Sequence, residues 1–450
     1  MKISSITVCS LLVEKSPQAL PLGAACITSY LKSHLKNDIS SSVSSEQKID
    51  VNLCDFNLEE NSDSESIAKE LLSNHSQIYL FSVFVWNRAI LTEAASIIRK
   101  ENPDSVIIAG GPEVSANPYS FAGANPQSFF AVANPYKFSA PFDYAVAGEG
   151  EVIVTDIVRR LIAGEKIEQK IFFGKRTQLE KLSSPYLDDT IDLKKYDGGA
   201  LWELARGCPF KCSYCYESKG EKTVDYFPLE RIKKELDYFK SHNVVQIWVL
   251  DPTYNANKKR AAEILNYIQF HAKDIFFHFE CRAEFLDKEL VKAFSKINCC
   301  MQIGLQSADE NVLRLVNRPF NKKDFVKKIA LLNNFGIIFG FDLIYGLPGD
   351  TLQGFKDSIN FALSLYPNHL ELFRLSVLPG TDLFDRANEL GLNAQKDPPY
   401  NIISTDKFSA SDLAKAEILA KSCNLFYSQG RAVPWFNSVL HFRSEEHTSE

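Results

Sequence analysis

The sequence has no apolar run long enough to cross a membrane, since none approaches the roughly 18 residues that a spanning helix requires. It has only 10 cysteines in 450 residues, far below the density of small secreted proteins stapled by disulfides. Its net charge of −6 gives no electrostatic footprint for nucleic acid. No small-residue cleavage site follows Met1-Lys2, so a signal peptide is not indicated. These features predict no membrane partner and give no clear nucleic-acid signal, and reduced thiols would fit a cytoplasmic protein.

The composition that remains is that of an ordinary globular protein, with 45% hydrophobic and 24% charged residues. Strand-like and helix-like segments alternate through residues 1–172, which predicts a doubly wound, Rossmann-like α/β domain. Residues 173–198 are punctuated by turn residues and read as a linker. Six further strand–helix units in residues 199–425 predict a partial (β/α)6 barrel of the TIM type. Residues 426–450 form a C-terminal segment.

Three cysteines follow the first predicted barrel strand with the spacing C-x3-C-x2-C: Cys208, Cys212 and Cys215. Three such thiolates can hold three irons of a four-iron cluster and leave the fourth iron free for a ligand. Barrel enzymes place their sites in the loops after the strands, which is where this run lies. The alternative is a structural zinc site, but such a site normally closes with four Cys or His ligands, and the next cysteine is Cys281.

Polar residues also interrupt the apolar pattern of the later barrel strands. The third strand carries Glu280 and Arg282, and the fourth carries Gln302 and Gln306. A charged group that faces a barrel interior is costly unless it is paired or binds a ligand. Glu280 and Arg282 are therefore either ligand contacts or partners in a structural salt bridge.

Four motifs together resemble the radical S-adenosylmethionine (radical SAM) core of the cobalamin-binding members of that superfamily, over about residues 201–390. They are the Arg-Gly-Cys-x3-Cys-x-Tyr-Cys run from Arg206, Gly-Leu-Gln-Ser from Gly304, Gly-Leu-Pro-Gly-Asp from Gly346 and Val-Leu-Pro-Gly-Thr from Val377. The resemblance implies a [4Fe–4S] cluster on the three cysteines as metal ligands. It also implies S-adenosylmethionine as cosubstrate, with Tyr214 near its adenine.

The same resemblance implies further cosubstrate contacts. Glu280 and Arg282 become candidates for contact with its ribose or carboxylate, and Gln302 and Gln306 line the same strand ends. The sequence departs from the usual pattern at two places. Leu250-Asp251-Pro252-Thr253 stands where a Gly-Gly-Glu-like element usually meets the methionine amino group, and Gln306 stands where an acidic residue is often found.

Glycine-rich turns follow two strands of the first domain: Gly110-Gly111-Pro112 and Gly148-Glu149-Gly150. Glycines at strand ends let a ligand lie against the backbone, although a simple turn explains each of them equally well. In this order, before the cysteine run, they resemble a cobalamin-binding domain, as does Leu22-Gly23 after the first strand. The resemblance makes Ser82, in the segment from Ser82 to Asn87, a neighbour of the cobalt's lower face. An Asp-x-His-x-x-Gly element is absent, which implies a form without a histidine ligand.

The implied function is that of a cobalamin-dependent radical SAM enzyme. In this family a reduced cluster cleaves S-adenosylmethionine to a 5′-deoxyadenosyl radical, which abstracts hydrogen from a small-molecule or peptide substrate. Methyl transfer from cobalamin is the leading outcome, and rearrangement or cyclisation is the alternative. The implied partner is an electron donor such as flavodoxin or ferredoxin.

Two other classes of protein share features of this sequence: a cofactor-binding sensor and a methylthiotransferase. A sensor that binds the cofactors without turnover would fit the altered strand-two element. A methylthiotransferase would carry three further cluster cysteines, whereas Cys9, Cys26 and Cys54 are scattered over strand and helix positions. Residues 443–450 read like a translated sequencing adapter, which predicts that the natural chain is cut short near Phe442.

Overall fold

The computed structural model describes residues 2–39, 49–60, 63–122, 141–218 and 223–433. The chain divides into two compact units. Unit 1 contains residues 1–201 and 227–244, and unit 2 contains residues 202–226 and 245–450. The adapter-like residues 443–450 lie outside the described part of the chain.

Unit 1 is built on a six-stranded sheet with the order β2-β1-β3-β4-β5-β6, and all its pairs are parallel. The strands are β1 Ser5–Leu12, β2 Asp50–Asn57, β3 Ile78–Ser82, β4 Val106–Gly110, β5 Tyr144–Gly148 and β6 Ile171–Gly174. Near-continuous apolar strands are typical of parallel sheets, which are covered on both faces.

Five helices connect these strands: α1 Leu22–Ile39, α2 Ser64–Ser73, α3 Arg88–Glu101, α4 Pro112–Ala116 and α5 Glu151–Ile162. One hydrophobic core contains buried residues of α2 and α3, such as Leu71 and Leu91, and a second contains residues of α1 and α5, such as Leu31 and Ile157. The helices thus pack against the sheet in two separate hydrophobic cores, which confirms the predicted doubly wound class.

Two features of unit 1 differ from the sequence prediction. Strand β6 was not predicted, and it runs across the predicted boundary at residue 172. The predicted linker also packs within unit 1. Tyr196 Oη donates to Asp55 Oδ2 at 2.9 Å, and Arg231 Nη1 of helix α6 (Leu229–Ser241) donates to Leu182 O at 2.8 Å. The segment is therefore a folded part of unit 1 instead of an open tether.

Unit 2 contains strands β10 to β14 of the second six-stranded sheet, which has the order β14-β13-β12-β11-β10-β7. Strands β10 to β14 pair in parallel, and this open series confirms the predicted partial (β/α)6 barrel. The strands of the sheet are β7 Gly199–Trp202, β10 Gln246–Val249, β11 Phe276–Cys281, β12 Cys299–Gln306, β13 Ile338–Tyr345 and β14 His369–Arg374. Two short antiparallel pairs complete the strands: β8 Ala205–Arg206 with β9 Asp225–Tyr226, and β15 Asn393–Ala394 with β16 Ile402–Ser404.

The helices of unit 2 are α7 Lys258–His271, α8 Lys288–Phe294, α9 Glu310–Leu315, α10 Lys322–Asn334, α11 Leu352–Leu363, α12 Asp382–Asp385 and α13 Ala410–Cys423. One face of the strands packs on them: Phe279 of β11 contacts Phe294 of α8, with ring centroids 5.3 Å apart. Successive strand residues point to opposite faces. Residues such as His278, Glu280, Gln302 and Asp342 therefore face the barrel interior. No helix in the described ranges is long and apolar enough to span a bilayer.

Candidate functional site

The three cysteines lie in the loop that follows β8. Cys208 and Cys212 are buried, and Cys215 is half-buried. Gly207 begins the loop with φ of +92°, a left-handed conformation that only glycine adopts readily. The Arg-Gly-Cys sequence therefore has a structural reason: the glycine turns the chain so that the first thiol points inward.

Hydrogen bonds to the loops after two other strands hold the cysteine loop in place. Ser213 N donates to Val316 O at 3.0 Å, and Ser213 O accepts from Leu383 N at 2.8 Å. Asn317 Nδ2 donates to Lys211 O at 2.6 Å. The backbone around the thiols is thus fixed by the fold itself.

Asp251 follows strand β10, which ends at Val249, and supports the chain just before this loop. Its Oδ1 accepts from Leu204 N at 2.8 Å and from Ala205 N at 2.9 Å. Burial raises the pKa of Asp251 to about 7. The carboxyl is therefore committed to the backbone.

Two buried guanidinium groups lie against the thiol of Cys212. Arg282 Nη1 is 3.9 Å from Cys212 Sγ, and Arg318 Nη1 is 3.7 Å from it. Both side chains are more than nine-tenths buried. Buried positive charge stabilises a thiolate, the form that binds iron. The donor set therefore fits an anionic iron–sulfur cluster.

The three thiols do not converge on one point. Among the described residues, no three Cys, His, Asp or Glu side chains come close enough to hold a single metal ion, as a zinc site would require. Thiolates of a four-iron cluster bind different irons and stand farther apart. Burial, followed by Cys212 and Cys208, raises the pKa of Cys215 to about 11. Iron binding would therefore displace a proton from this thiol.

The structure brings Tyr214 into the same cluster of side chains. Its hydroxyl is 3.3 Å from Arg318 Nη1, and burial raises its pKa well above the usual range. Arg318 was missed by the sequence analysis. It follows α9 by three residues, and neither its spacing nor its neighbours in the sequence distinguish it from a surface arginine.

The proposed salt bridge between Glu280 and Arg282 is wrong. Arg282 pairs with Glu284, and its guanidinium stacks on the Phe210 ring at 3.9 Å. Strand β11 ends at Cys281, so Arg282 leaves the strand pattern and turns toward the cysteine loop. Glu280 stays on the barrel interior, where its side chain remains exposed.

Polar side chains from neighbouring strands form a chain across the barrel interior. Gln302 Nε2 donates to Asp342 Oδ1, and Gln302 Oε1 accepts from His369 Nε2 at 2.6 Å. Glu280 is the register partner of Gln302 on β11. Desolvation of the carboxyl by the barrel walls, and then the charges of Asp342 and Glu217, raise the pKa of Glu280 to about 7. Burial raises that of Asp342 to about 6. This interior can hold protons near neutral pH and can both donate and accept hydrogen bonds.

The residues predicted to contact cobalamin lie in unit 1 at the edge of the sheet that the carboxyl ends of its strands form. In the order β2-β1-β3-β4, the chain passes from β1 to β2 on one side and continues through β3 and β4 on the other. The strand order therefore reverses between β1 and β3. Ligands of such sheets bind at this switch point, beyond the carboxyl ends of the strands. Ser82 and Gly110 are register partners at the ends of β3 and β4. Gly148 ends β5, and Leu22-Gly23 begin the helix after β1.

The glycines at this edge separate into two groups. Gly111 and Gly148 have φ of +107° and +87°, and a Cβ on Gly111 would lie 2.6 Å from Val83 O. A Cβ on Gly150 would lie 2.8 Å from Ile27 Cδ1. The fold alone requires Gly111 and Gly148, whereas at Gly150 the end of the Ile27 side chain could move aside. Gly23 has no heavy atom within 4 Å of an added Cβ, and Gly110 has only Val146 O at 3.8 Å. Gly23 and Gly110 therefore leave room at the edge without a structural need for it.

Pro112 and Glu149 also have local roles at this edge. Pro112 is the first residue of α4, where a missing N–H costs nothing. Glu149 Oε2 accepts from Thr177 N at 2.8 Å.

Two aromatic residues at the same edge form a stacked pair that the sequence analysis did not name. Phe84 and Trp86 follow β3 and stack with ring centroids 4.4 Å apart. Trp86 Nε1 donates to Leu11 O at 3.1 Å, yet the side chain remains 45% exposed. Both residues lie in the segment from Ser82 to Asn87 that the sequence indicated. A fixed and exposed aromatic surface suits contact with a flat ligand.

Comparison with known proteins identifies the barrel. The family model described as the radical SAM superfamily matches residues 202–362. This region is a radical SAM domain. A radical SAM domain uses a [4Fe–4S] cluster and S-adenosylmethionine, so the prediction of these two cofactors is confirmed. The matched region contains the three cysteines, Arg282 and Arg318.

The regions that align with curated relatives are longer than the radical SAM domain and reach into unit 1. The chain is 25% identical over 343 residues to the cobalamin-dependent radical SAM methyltransferase TokK of Streptomyces tokunonensis, covering 68% of this chain and 48% of TokK. It is 24% identical over 329 residues to an uncharacterised methyltransferase of Pyrococcus horikoshii, covering 66% of this chain and 72% of that protein. The predicted resemblance to cobalamin-dependent radical SAM enzymes is confirmed, although the chain spans about half the length of TokK.

Solved structures show the same fold. The radical SAM methyltransferase TsrM from Kitasatospora setae, in a complex with tryptophan and a cosubstrate analogue, superposes with a TM-score of 0.65 and 14% identity. The match covers 89% of this chain and 80% of TsrM. The cobalamin-dependent radical enzyme OxsB, with aqua-cobalamin and S-adenosylmethionine bound, gives a TM-score of 0.62 and 18% identity, covering 86% of this chain and 56% of OxsB.

Proposed function

We propose that this chain is a cobalamin-dependent radical SAM enzyme that methylates an unactivated carbon of a small-molecule or peptide substrate. One observation carries the proposal: a single chain contains a radical SAM domain with a cysteine loop fixed by the fold, and a parallel sheet of order β2-β1-β3-β4-β5-β6. TokK, whose name states both cofactors and the methyl transfer, is similar to this chain across 68% of its length.

The cofactors would supply radical formation and the methyl group, and the chain's own residues bind and orient. Cys208, Cys212 and Cys215 would hold the cluster. Tyr214, Arg282 and Gln306 lie near the loop and would contact the cosubstrate, for which the free iron of the cluster would be the binding site. Leu22, Gly23, Ser82, Gly110 and the Phe84–Trp86 pair form the edge that would receive cobalamin.

The barrel interior would bind the polar groups of cosubstrate and substrate. Glu280, Gln302 and Asp342 point into it from three adjacent strands. Because the pKa of Glu280 is about 7 and that of Asp342 about 6, each can be protonated and donate a hydrogen bond near neutral pH. The Gln302 amide is already oriented, since its nitrogen donates to Asp342 and its oxygen accepts from His369.

The surroundings of the proposed reaction follow from the same chemistry. All ten cysteines are free thiols, as expected of a reducing compartment, and the cluster needs a low-potential one-electron donor such as flavodoxin or ferredoxin. We therefore place the enzyme in the cytoplasm with such a partner.

Anaerobic turnover with isotopically labelled S-adenosylmethionine tests the outcome of the reaction. Methyl transfer requires one cosubstrate molecule for the radical and a second to restore the methyl donor. We expect 5′-deoxyadenosine and S-adenosylhomocysteine to form together, each dependent on substrate and in about equal amounts. Deoxyadenosine without S-adenosylhomocysteine would exclude methylation and favour rearrangement or cyclisation. Neither product, with both cofactors bound, would favour a sensor.

A further inference from the structure

The environment of Cys212 carries positive charge that the fold leaves only partly neutralised. Both guanidinium groups at its sulfur can donate N–H···S hydrogen bonds, from Arg282 at 3.9 Å and from Arg318 at 3.7 Å. Cys208, by comparison, contacts a neutral hydroxyl, Thr253 Oγ1, at 3.8 Å. The thiolates of the loop are therefore in different electrostatic environments.

The two arginines differ in how their charge is balanced. Arg282 is paired with Glu284, with Nε donating to Oε2 at 3.1 Å. No ion pair joins Arg318 to an acid within the described residues. Its N–H groups are directed at Gly304 O, Tyr214 Oη and Cys212 Sγ, all formally neutral partners apart from the thiolate. Glu284, which pairs with Arg282, also acts on the charge of Arg318 without a direct ion pair, so the positive charge beside the sulfur is only partly balanced.

Gln306 explains why Arg318 lacks a carboxylate partner. An added Cβ on Gly304 would lie 2.6 Å from Gln306 Nε2 and 3.0 Å from Arg318 Nη2, so the two side chains are neighbours. Gln306 is held at φ of +68° after a register shift in β12. Its Oε1 is buried and accepts no hydrogen bond in the described structure. An acid at this position would pair with Arg318, whereas the amide does not.

We propose that Arg318, left without a direct carboxylate partner beside Gln306, is a positioning residue that raises the reduction potential of the cluster through Cys212. This inference deepens the proposed function and rests on its four-iron cluster. Net charge and hydrogen bonds to the sulfurs set the potential of iron–sulfur clusters. Reduction adds one electron from the donor protein to the cluster and transfers no proton. A nearby positive charge therefore stabilises the reduced state, and Gln306 sets how much of that charge remains.

The test compares variants of the full-length, anaerobically reconstituted protein in a redox titration followed by electron paramagnetic resonance. Gln306→Glu should lower the midpoint potential, because its carboxylate would neutralise Arg318. We expect the ratio of reduced to oxidised cluster at a fixed potential to fall about tenfold, a shift of about 59 mV for one electron. Iron content should not change.

Gln269→Glu is the matched control. It makes the same chemical change in the last turn of α7, at the end of the helix that leads into the start of β11. Its potential should equal that of the wild type. Arg318→Gln is a second variant, which removes the charge itself and should shift the potential in the same direction as Gln306→Glu.

The outcomes separate this inference from the cluster assignment. A wild-type chain that assembles no four-iron cluster would overturn the proposed function, and this inference with it. An intact cluster with equal potentials in the wild type and Gln306→Glu would overturn the role of Arg318 and Gln306 alone.

Discussion

Replacing Cys212 with alanine is expected to abolish the four-iron cluster. Iron content after anaerobic reconstitution should fall from about four per chain to nearly none, together with the broad visible absorption. The reason is geometric: the loop is anchored at Lys211 and Ser213, so no other thiol can move into the empty position. Cys208→Ala and Cys215→Ala should have the same effect.

Cys423→Ala is the control for this prediction, because it removes a half-buried thiol at the end of α13. It should retain the full cluster. A Cys212→Ala protein that still binds about four irons would show that the assignment of the cysteine loop is wrong.

Placing a leucine at Gly23 should block cobalamin without harming the fold. An added Cβ at Gly23 meets no heavy atom within 4 Å, and leucine has a higher helix propensity than glycine. We expect the dissociation constant for hydroxocobalamin to rise by about tenfold or more, measured by absorbance on the full-length chain. The melting temperature should be unchanged or slightly higher.

One control variant defines the result. Lys100→Leu adds the same side chain in the last turn of α3, at the opposite edge of the sheet from the ends of β3 and β4, and should bind normally. Gly111→Leu is not a useful probe, because strain against Val83 would lower stability whether or not a ligand binds there. Equal affinity of Gly23→Leu and the wild type would remove Gly23 from the cobalamin site.

Most elements could be predicted from sequence periodicity. Strand β11 (Phe276–Cys281) and helices α6 (Leu229–Ser241) and α8 (Lys288–Phe294) are examples. These segments combine a clear apolar period with obvious turn residues at each end. Strand β6 could not be predicted in this way, because Ile171–Gly174 is short and lies at the sheet edge, where only part of it is buried.

The site was predictable only where the chemistry is local in sequence. The cysteine run depends on short spacings, which a sequence displays directly. The pairing of Arg282 with Glu284 and the approach of Arg318 to Cys212 depend on where strands end and loops turn. Arg318 lies over one hundred residues from its sulfur partner, so no local pattern could reveal it.

Asp251 belongs to the strand-two element in which the sequence departs from the usual pattern, and the structure shows what its side chain contacts. The absence of the usual strand-two element left a loss of turnover open. The carboxyl of Asp251 in fact supports the backbone before the cysteine loop through Leu204 and Ala205. The altered element therefore supports the backbone that leads into the cysteine loop.

The metal content of the full-length chain tests the central claim most directly. The claim is that one chain binds both a four-iron cluster and cobalamin. After anaerobic reconstitution with iron, sulfide and hydroxocobalamin and removal of unbound material, we expect about four irons and about one cobalt per chain. Iron without cobalt would contradict the role of unit 1, and cobalt without iron would contradict that of the cysteine loop.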